Sequence, residues 1–256
     1  MSFTGKDGLD MGQVIAVTSG KGGTGKTTVS AAISCCLAAE GYKVLCIDAD
    51  VGLRNLDISL GMADMAPISF ADVLARRYTL DDATPHPQID GLYLLTAPVI
   101  DRPEAISFQA FGQMLQAVRA RFDFCVIDTQ AGLGDGFQLA TVFADRILVV
   151  ATPDPASMRD ASSVTEQLCL MGKTDVKLVV NRIQGRMFRK MRLTVDDMMD
   201  DVGLSLIGII PEDDNVVFAA AGNTPLVLYT DQGAALACLH IARRLCGKKV
   251  PLLRLR

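Results

Sequence analysis

A chain of 256 residues, half of them hydrophobic and 21% charged, is long enough for one α/β core and too apolar for intrinsic disorder. Its net charge of −4 argues against a protein that coats nucleic acid through its overall field. Seven scattered cysteines without a C-x-x-C pair suit buried or free thiols in a reducing compartment, not a disulfide framework or a zinc site.

The first residues, "MSFTGKDGLDMGQ", have no apolar core and no cleavage pattern, so residues 1–11 are expected to be a flexible extension and not a secretory signal. No stretch approaches the ~20 apolar residues of a spanning helix, and the expected location is cytoplasmic. Seven apolar runs follow: 13–19, 43–48, 92–97, 123–128, 146–152, 176–182 and 206–211. They are nearly continuous in Val, Ile and Leu, as in strands of a parallel sheet covered on both faces. Helical patterns separate them. In 107–122, Phe108, Phe111, Leu115, Val118 and Phe122 recur at steps of three and four and share one face. The expected fold is α/β: a doubly wound, mostly parallel sheet with helices on both faces, one domain over 1–256 with a short basic and apolar tail at 248–256. Ligands of such sheets bind at the C-terminal strand ends.

The first such end carries "GKGGTGKT" (20–27), which fits G-x-x-x-x-G-K-[ST] between a strand and a helix. Gly20, Gly22, Gly23 and Gly25, with Thr24 among them, let backbone N–H groups turn toward phosphate oxygens at a helix N-terminus. Lys26 would reach the β- and γ-phosphates of ATP or ADP, Thr27 would ligate Mg²⁺, and Thr28 completes the set. Lys21 is surplus. At the loop entrance it is poorly placed for its own site, and it could point outward to a nucleotide held by a second subunit.

The second end, "VLCIDADVGLRNLD" (44–57), offers Asp48 and Asp50. Two residues apart on an extended segment, both side chains point the same way, so both could face a metal or position water. The fourth run ends in Asp128, suited to a water-mediated Mg²⁺ contact, and Gly132 follows where backbone could approach a γ-phosphate. Asn181 closes the sixth run; its amide suits either a turn or an adenine edge. Residues 182–192 carry five positive charges in eleven residues, readable as an exposed loop balanced by Asp196, Asp197, Asp200 and Asp201 or as a DNA contact.

"KGGTGKTT", "GLRNLD" (52–57), "RDASS" (159–163) and "IPEDDNVV" (210–217) together resemble the deviant Walker A ATPases of the MinD/ParA family, and its MinD branch most closely, from Gln13 to about Gly247. The resemblance implies a P-loop fold and slow, Mg²⁺-dependent ATP hydrolysis coupled to homodimerisation. By it, Lys21 crosses a nucleotide-sandwich dimer, and Lys21, Lys26 and Asp50 carry catalysis. Asp50 orients the attacking water, supported by Asp48. Asn181 and Arg182 read the base, with Pro211, Glu212 and Asp213 closing over the ring. Arg159 and Asp160 belong to the dimer face.

The implied role is placement of the bacterial division septum, by recruiting a MinC-like division inhibitor to the membrane under a MinE-like or other activator. ParA-type DNA partitioning or flagellar-number positioning is the alternative, with DNA the less favoured partner. An electron-transfer ATPase would need cysteines in 128–137, where there are none. Two departures stand out. Gln130 replaces the proline usual before "AG", which frees φ and adds a backbone donor. The tail has only seven residues beyond Lys249, including Pro251, where the family usually has an amphipathic membrane helix. Lys248, Lys249, Arg254 and Arg256 with Leu252, Leu253 and Leu255 could still touch an anionic membrane.

Overall fold

Eight strands hydrogen-bond into one sheet in a computed structural model that describes residues 11–51, 54–98, 106–186, 190 and 194–253. They are β1 (Gln13–Thr18), β2 (Val44–Asp48), β3 (Thr84–Pro85), β4 (Leu92–Leu95), β5 (Phe124–Asp128), β6 (Arg146–Ala151), β7 (Val176–Ile183) and β8 (Leu206–Pro211). The order is β3-β4-β2-β5-β1-β6-β7-β8, parallel except for the two-residue β3. All seven apolar runs are strands. β3 escaped the pattern because two residues, one of them proline, carry no periodicity.

The helices are α1 (Lys26–Ala39), α2 (Leu56–Ser59), α3 (Phe70–Leu74), α4 (Phe108–Arg119), α5 (Asp135–Val142), α6 (Pro155–Leu170), α7 (Val195–Val202), α8 (Asn215–Ala221), α9 (Leu226–Tyr229) and α10 (Gly233–Leu245). Those from α3 to α7 cover one face of the sheet; α1, α2 and α8 to α10 cover the other. α1 is apolar nearly all round, with eleven of its fourteen residues buried, because it lies between the sheet and α10. On α4, Phe111, Leu115 and Val118 face the core as expected. Phe108 departs from that face: it is the first residue of the helix and is 40% exposed.

Register aligns the functional strand ends. Val17 of β1 and Asp48 of β2 both pair with Asp128 of β5. The two acids therefore sit side by side at the level where the chain leaves β1 for the phosphate loop.

Cys35, Cys36, Cys46, Cys125 and Cys238 are buried and all seven cysteines are free, as their scatter implied. The tail is described to Leu253. Arg244 donates to the carbonyls of Val250 (3.0 and 3.1 Å) and Pro251 (2.7 Å), and Lys248 pairs with Glu40. It is thus bonded to the body as far as Pro251, and Leu253 packs against the core. Residues 1–10 of the expected extension, Gly52, Leu53, 187–189, 191–193 and 254–256 lie outside the described residues.

Candidate functional site

Between β1 and α1 the backbone turns through two left-handed glycines, Gly23 (φ 80°) and Gly25 (φ 85°), the second being the N-cap of α1. An L side chain is strained there, and the reversed turns gather successive N–H groups into one concavity. Gly20 is needed for a different reason. A Cβ there would lie 2.5 Å from Asp160, so the loop entrance is pressed onto α6.

Asp128 is the hub beneath this loop. Buried at the end of β5, it accepts from Lys26 Nζ (2.9 Å), Thr27 Oγ1 (2.7 Å) and Ser30 Oγ (2.9 Å). Residues 26, 27 and 30 occupy the first turns of α1, so one helix end delivers a cation and two hydroxyls to one carboxylate. Asp48 and Asp50 are not equivalent, although their spacing suggested they would be. Asp48 is buried and accepts the N–H groups of Asp50 (3.0 Å), Asn55 and Leu56 (3.2 Å each), so it organises the segment after β2. Burial, then the charge of Asp128, pushes its pKa up to about 6 against those three donors. Asp50 is half-buried, and burial raises its pKa while the charge of Lys26 opposes the rise. Its Oδ1 is buried without a partner among the described residues.

Lys21 does not point outward. Its ammonium is 2.9 Å from Asp154 Oδ1. Asp154 is the N-cap of α6, accepting from Ser157 N–H (3.0 Å) and the Thr152 hydroxyl (2.6 Å). Burial works against its charge, but the bonds from Thr152, Lys21 and Ser157 win and hold it at about 2. On the same helix Arg159 is exposed and Asp160 half-buried.

On the far side of the loop, β7 gains one residue on β8 between Val180 and Ile183. The bulge turns Asn181 inward, and its Nδ2 donates to the Thr24 carbonyl (2.8 Å). Arg182 takes φ 59° and grips Glu212 with Nε (2.9 Å) and Nη2 (3.1 Å). Beside them lies a cavity of about 220 Å³ lined by Gly25, Thr28, Asn181, Pro211, Asp213 and Cys238. Asp213 accepts N–H groups from Asn215 (3.0 Å) and Ala234 (2.9 Å), bracing the cavity wall. Gln130 is exposed, with its Cβ only 3.1 Å from where a Cβ on Gly136 would sit, and Gly132 (φ 85°) donates to the Ser19 carbonyl (2.9 Å).

Two residues escaped the sequence reading. Ser30, one turn beyond Lys26 on a mostly buried helix, was discoverable as a polar group on a buried face. Asp154 was legible as a cap before Pro155, but not as the partner of Lys21, 133 positions away.

Comparison with known proteins adds an independent finding. The family model for the CobQ/CobB/MinD/ParA nucleotide binding domain matches residues 15–226. The septum site-determining protein MinD of Thermotoga maritima is 37% identical over 246 residues, covering 94% of this chain and 91% of that protein. The MinD chain in a MinC:MinD cell division complex from Aquifex aeolicus superposes with a TM-score of 0.88 at 37% identity, covering 95% of this chain and 99% of that one. MinD of Pyrococcus horikoshii, solved with Mg-ADP, gives a TM-score of 0.80 at 29% identity, covering 92% and 96%.

Proposed function

The chain belongs to the CobQ/CobB/MinD/ParA family of nucleotide-binding proteins and is a MinD-like division-site ATPase; from that premise we propose that it is an ATP-operated dimerisation switch. The observation that carries this reading is the Asp128 hub, which holds a buried lysine and a hydroxyl of the phosphate loop on one carboxylate. Lys26 can exchange Asp128 for a phosphate without ever being left as an uncompensated buried charge. The loop N–H groups bind the phosphates, and the 220 Å³ cavity takes the base, with Asn181 beside it.

Mg²⁺ fits the donors present. Among the described residues no three His, Cys, Asp or Glu cluster as a metal cage, but Mg²⁺ typically uses one or two carboxylates plus substrate phosphates. Thr27 and Asp128 would hold it, with Asp48 behind them. When bound, it would neutralise charge developing on the transferred phosphoryl group. Asp50, whose buried Oδ1 has no partner among the described residues, orients the attacking water.

Lys21 crosses to the nucleotide of a second copy once it leaves Asp154, so the dimer forms with ATP. The Aquifex MinD occurs with MinC, which supports a MinC-like division inhibitor as partner; a MinE-like activator completes the cycle. Among the described residues no helix is long and apolar enough to cross a membrane, and membrane contact is assigned to the tail. Multi-angle light scattering with Mg-ATP and Mg-ADP tests the switch. A dimer in ATP alone is expected, and a monomer in both would refute it.

A further inference from the structure

A groove of about 460 Å³, apart from the cavity beside the phosphate loop, lies between the C-terminal half of α1, residues 88–90 and the α9–α10 corner. Ile89, Val227, Leu236 and Leu239 make its floor and sides mostly apolar. The volume lies within the range of small-molecule pockets.

The groove is held open by its own bonds. Buried His86 donates from Nε2 to the Leu60 carbonyl (2.8 Å), while its Nδ1 accepts the N–H groups of Gln88 and Ile89 (3.1 Å each). One wall is therefore fixed without a ligand. Both charged residues that line it are acidic. Asp90 and Asp231 stand exposed at the rim, neither in an ion pair among the described residues, and the negative end of the α1 dipole opens beside them. Arg243 and Lys248 are both engaged by Glu40, and the Lys43 ammonium lies over the Tyr93 and Phe122 rings.

The opposite wall is shared. Ala235 and Leu239 of α10 face the groove, whereas Ala234 and Cys238 face the 220 Å³ cavity beside the phosphate loop. α9 divides in the same way, with Val227 on the groove and Leu226 on the cavity. Asp213 ties this wall to the cavity through Ala234.

We propose that the groove is a second binding site, for a small amphiphilic cation with an apolar body and one basic group, coupled to the nucleotide cavity through the α9–α10 wall. The coupling rests on the nucleotide reading above; the binding does not.

Methyl NMR of the full chain, titrated with n-octylammonium and separately with octanoate, tests it. Octylammonium is expected to shift the Ala235, Leu236 and Leu239 methyls saturably, at least about fivefold more tightly than octanoate, with each rim carboxylate contributing about two- to fivefold. Asp90→Asn with Asp231→Asn should erase that preference, and Leu236→Arg should abolish binding. Equal affinity for both probes, or shifts that survive Leu236→Arg, would overturn the site. In the second arm, saturating octylammonium should change ADP affinity about twofold or more, and ADP should change octylammonium affinity by the same factor. Unchanged ADP affinity would overturn the coupling alone. Failure of ADP to bind at all would instead count against the nucleotide reading, and the probe titration would still decide the groove.

Discussion

Lys21 and Asp154 lie 2.9 Å apart within one chain, so the lysine assigned to a second subunit is held at home by the N-cap of α6. Both side chains are partly exposed, at 35% and 46%, which makes this a weak restraint of at most about 1 kcal/mol. Such a bond can be exchanged for a phosphate. Lys21→Ala should leave monomer affinity for ADP largely intact and abolish the ATP dimer. Asp154→Asn keeps the helix cap but loosens the lysine, and should favour the ATP dimer about two- to fivefold. Wild-type dimerisation by Lys21→Ala in light scattering would end the cross-subunit assignment.

Removing Lys26 should do two separable things. Nucleotide affinity should collapse, since the direct phosphate contact is gone. The nucleotide-free protein should also lose about 3 kcal/mol, because Asp128 remains as a buried charge with only hydroxyl partners. Adding Asp128→Asn to Lys26→Ala should restore part of that stability and none of the affinity. Urea midpoints of the two variants decide it, and equal midpoints would mean that Asp128 does not depend on the ammonium.

Asp50→Ala should keep ATP binding and the dimer while turnover falls about 10²-fold or more, as expected when a water-orienting group is lost without ground-state contacts. The ATP-bound form then accumulates. Near-normal single-turnover hydrolysis would exclude Asp50 and shift attention to Gln130.

His86 sets a pH dependence. Burial lowers its pKa below the ordinary 6.5, and its Nδ1 can accept two N–H groups only when unprotonated. The unfolded chain therefore takes up the proton first. The stability His86 contributes is complete above pH 6.5 and is lost as pH falls through that value toward the lower folded pKa. His86→Gln should be less stable than wild type at pH 7.5, with the gap narrowing at pH 5.5. A gap that stays constant or widens on acidification would contradict the neutral assignment. Comparing the two proteins cancels Asp48, which acts oppositely in this window because its folded pKa is raised to about 6.

The tail makes a binary forecast. Lys248 is already engaged by Glu40, which Arg243 shares, leaving Lys249 as the described tail cation outside an ion pair, so one tail should hold an anionic surface weakly. Two tails on one dimer act together. Sedimentation with anionic vesicles should need ATP, fall steeply with salt and vanish on deletion of 248–256. Equal pelleting in ATP and ADP would rule out dimer-gated avidity.

Much of this architecture could be read from the chain because buried parallel strands write themselves as unbroken apolar runs. All seven such runs are strands, and the phosphate loop, Asp48 and Asp128 fall at their ends. What could not be read was direction and partnership. Spacing made Asp48 and Asp50 look alike, but three backbone N–H groups claim the first, and among the described residues none claims the second. Lys21 looked unattached because nothing local marks Asp154 as its neighbour. Asn181 read as a strand-end amide, while the bulge that turns it onto Thr24 depends on the register of β8, which no single segment encodes.

The strand order has a consequence for how the protein is made. Lys26 meets Asp128 across 102 positions, and Asn181 meets Thr24 across 157, so neither contact forms until distant strands have docked. A nascent or refolding chain can build α1 early and still have no phosphate site. Nucleotide capture therefore comes at the end of folding, and ATP stabilises only molecules that have already completed the sheet. Cellular nucleotide would thereby act as a selective reward for finished chains, leaving incomplete ones open to proteolysis.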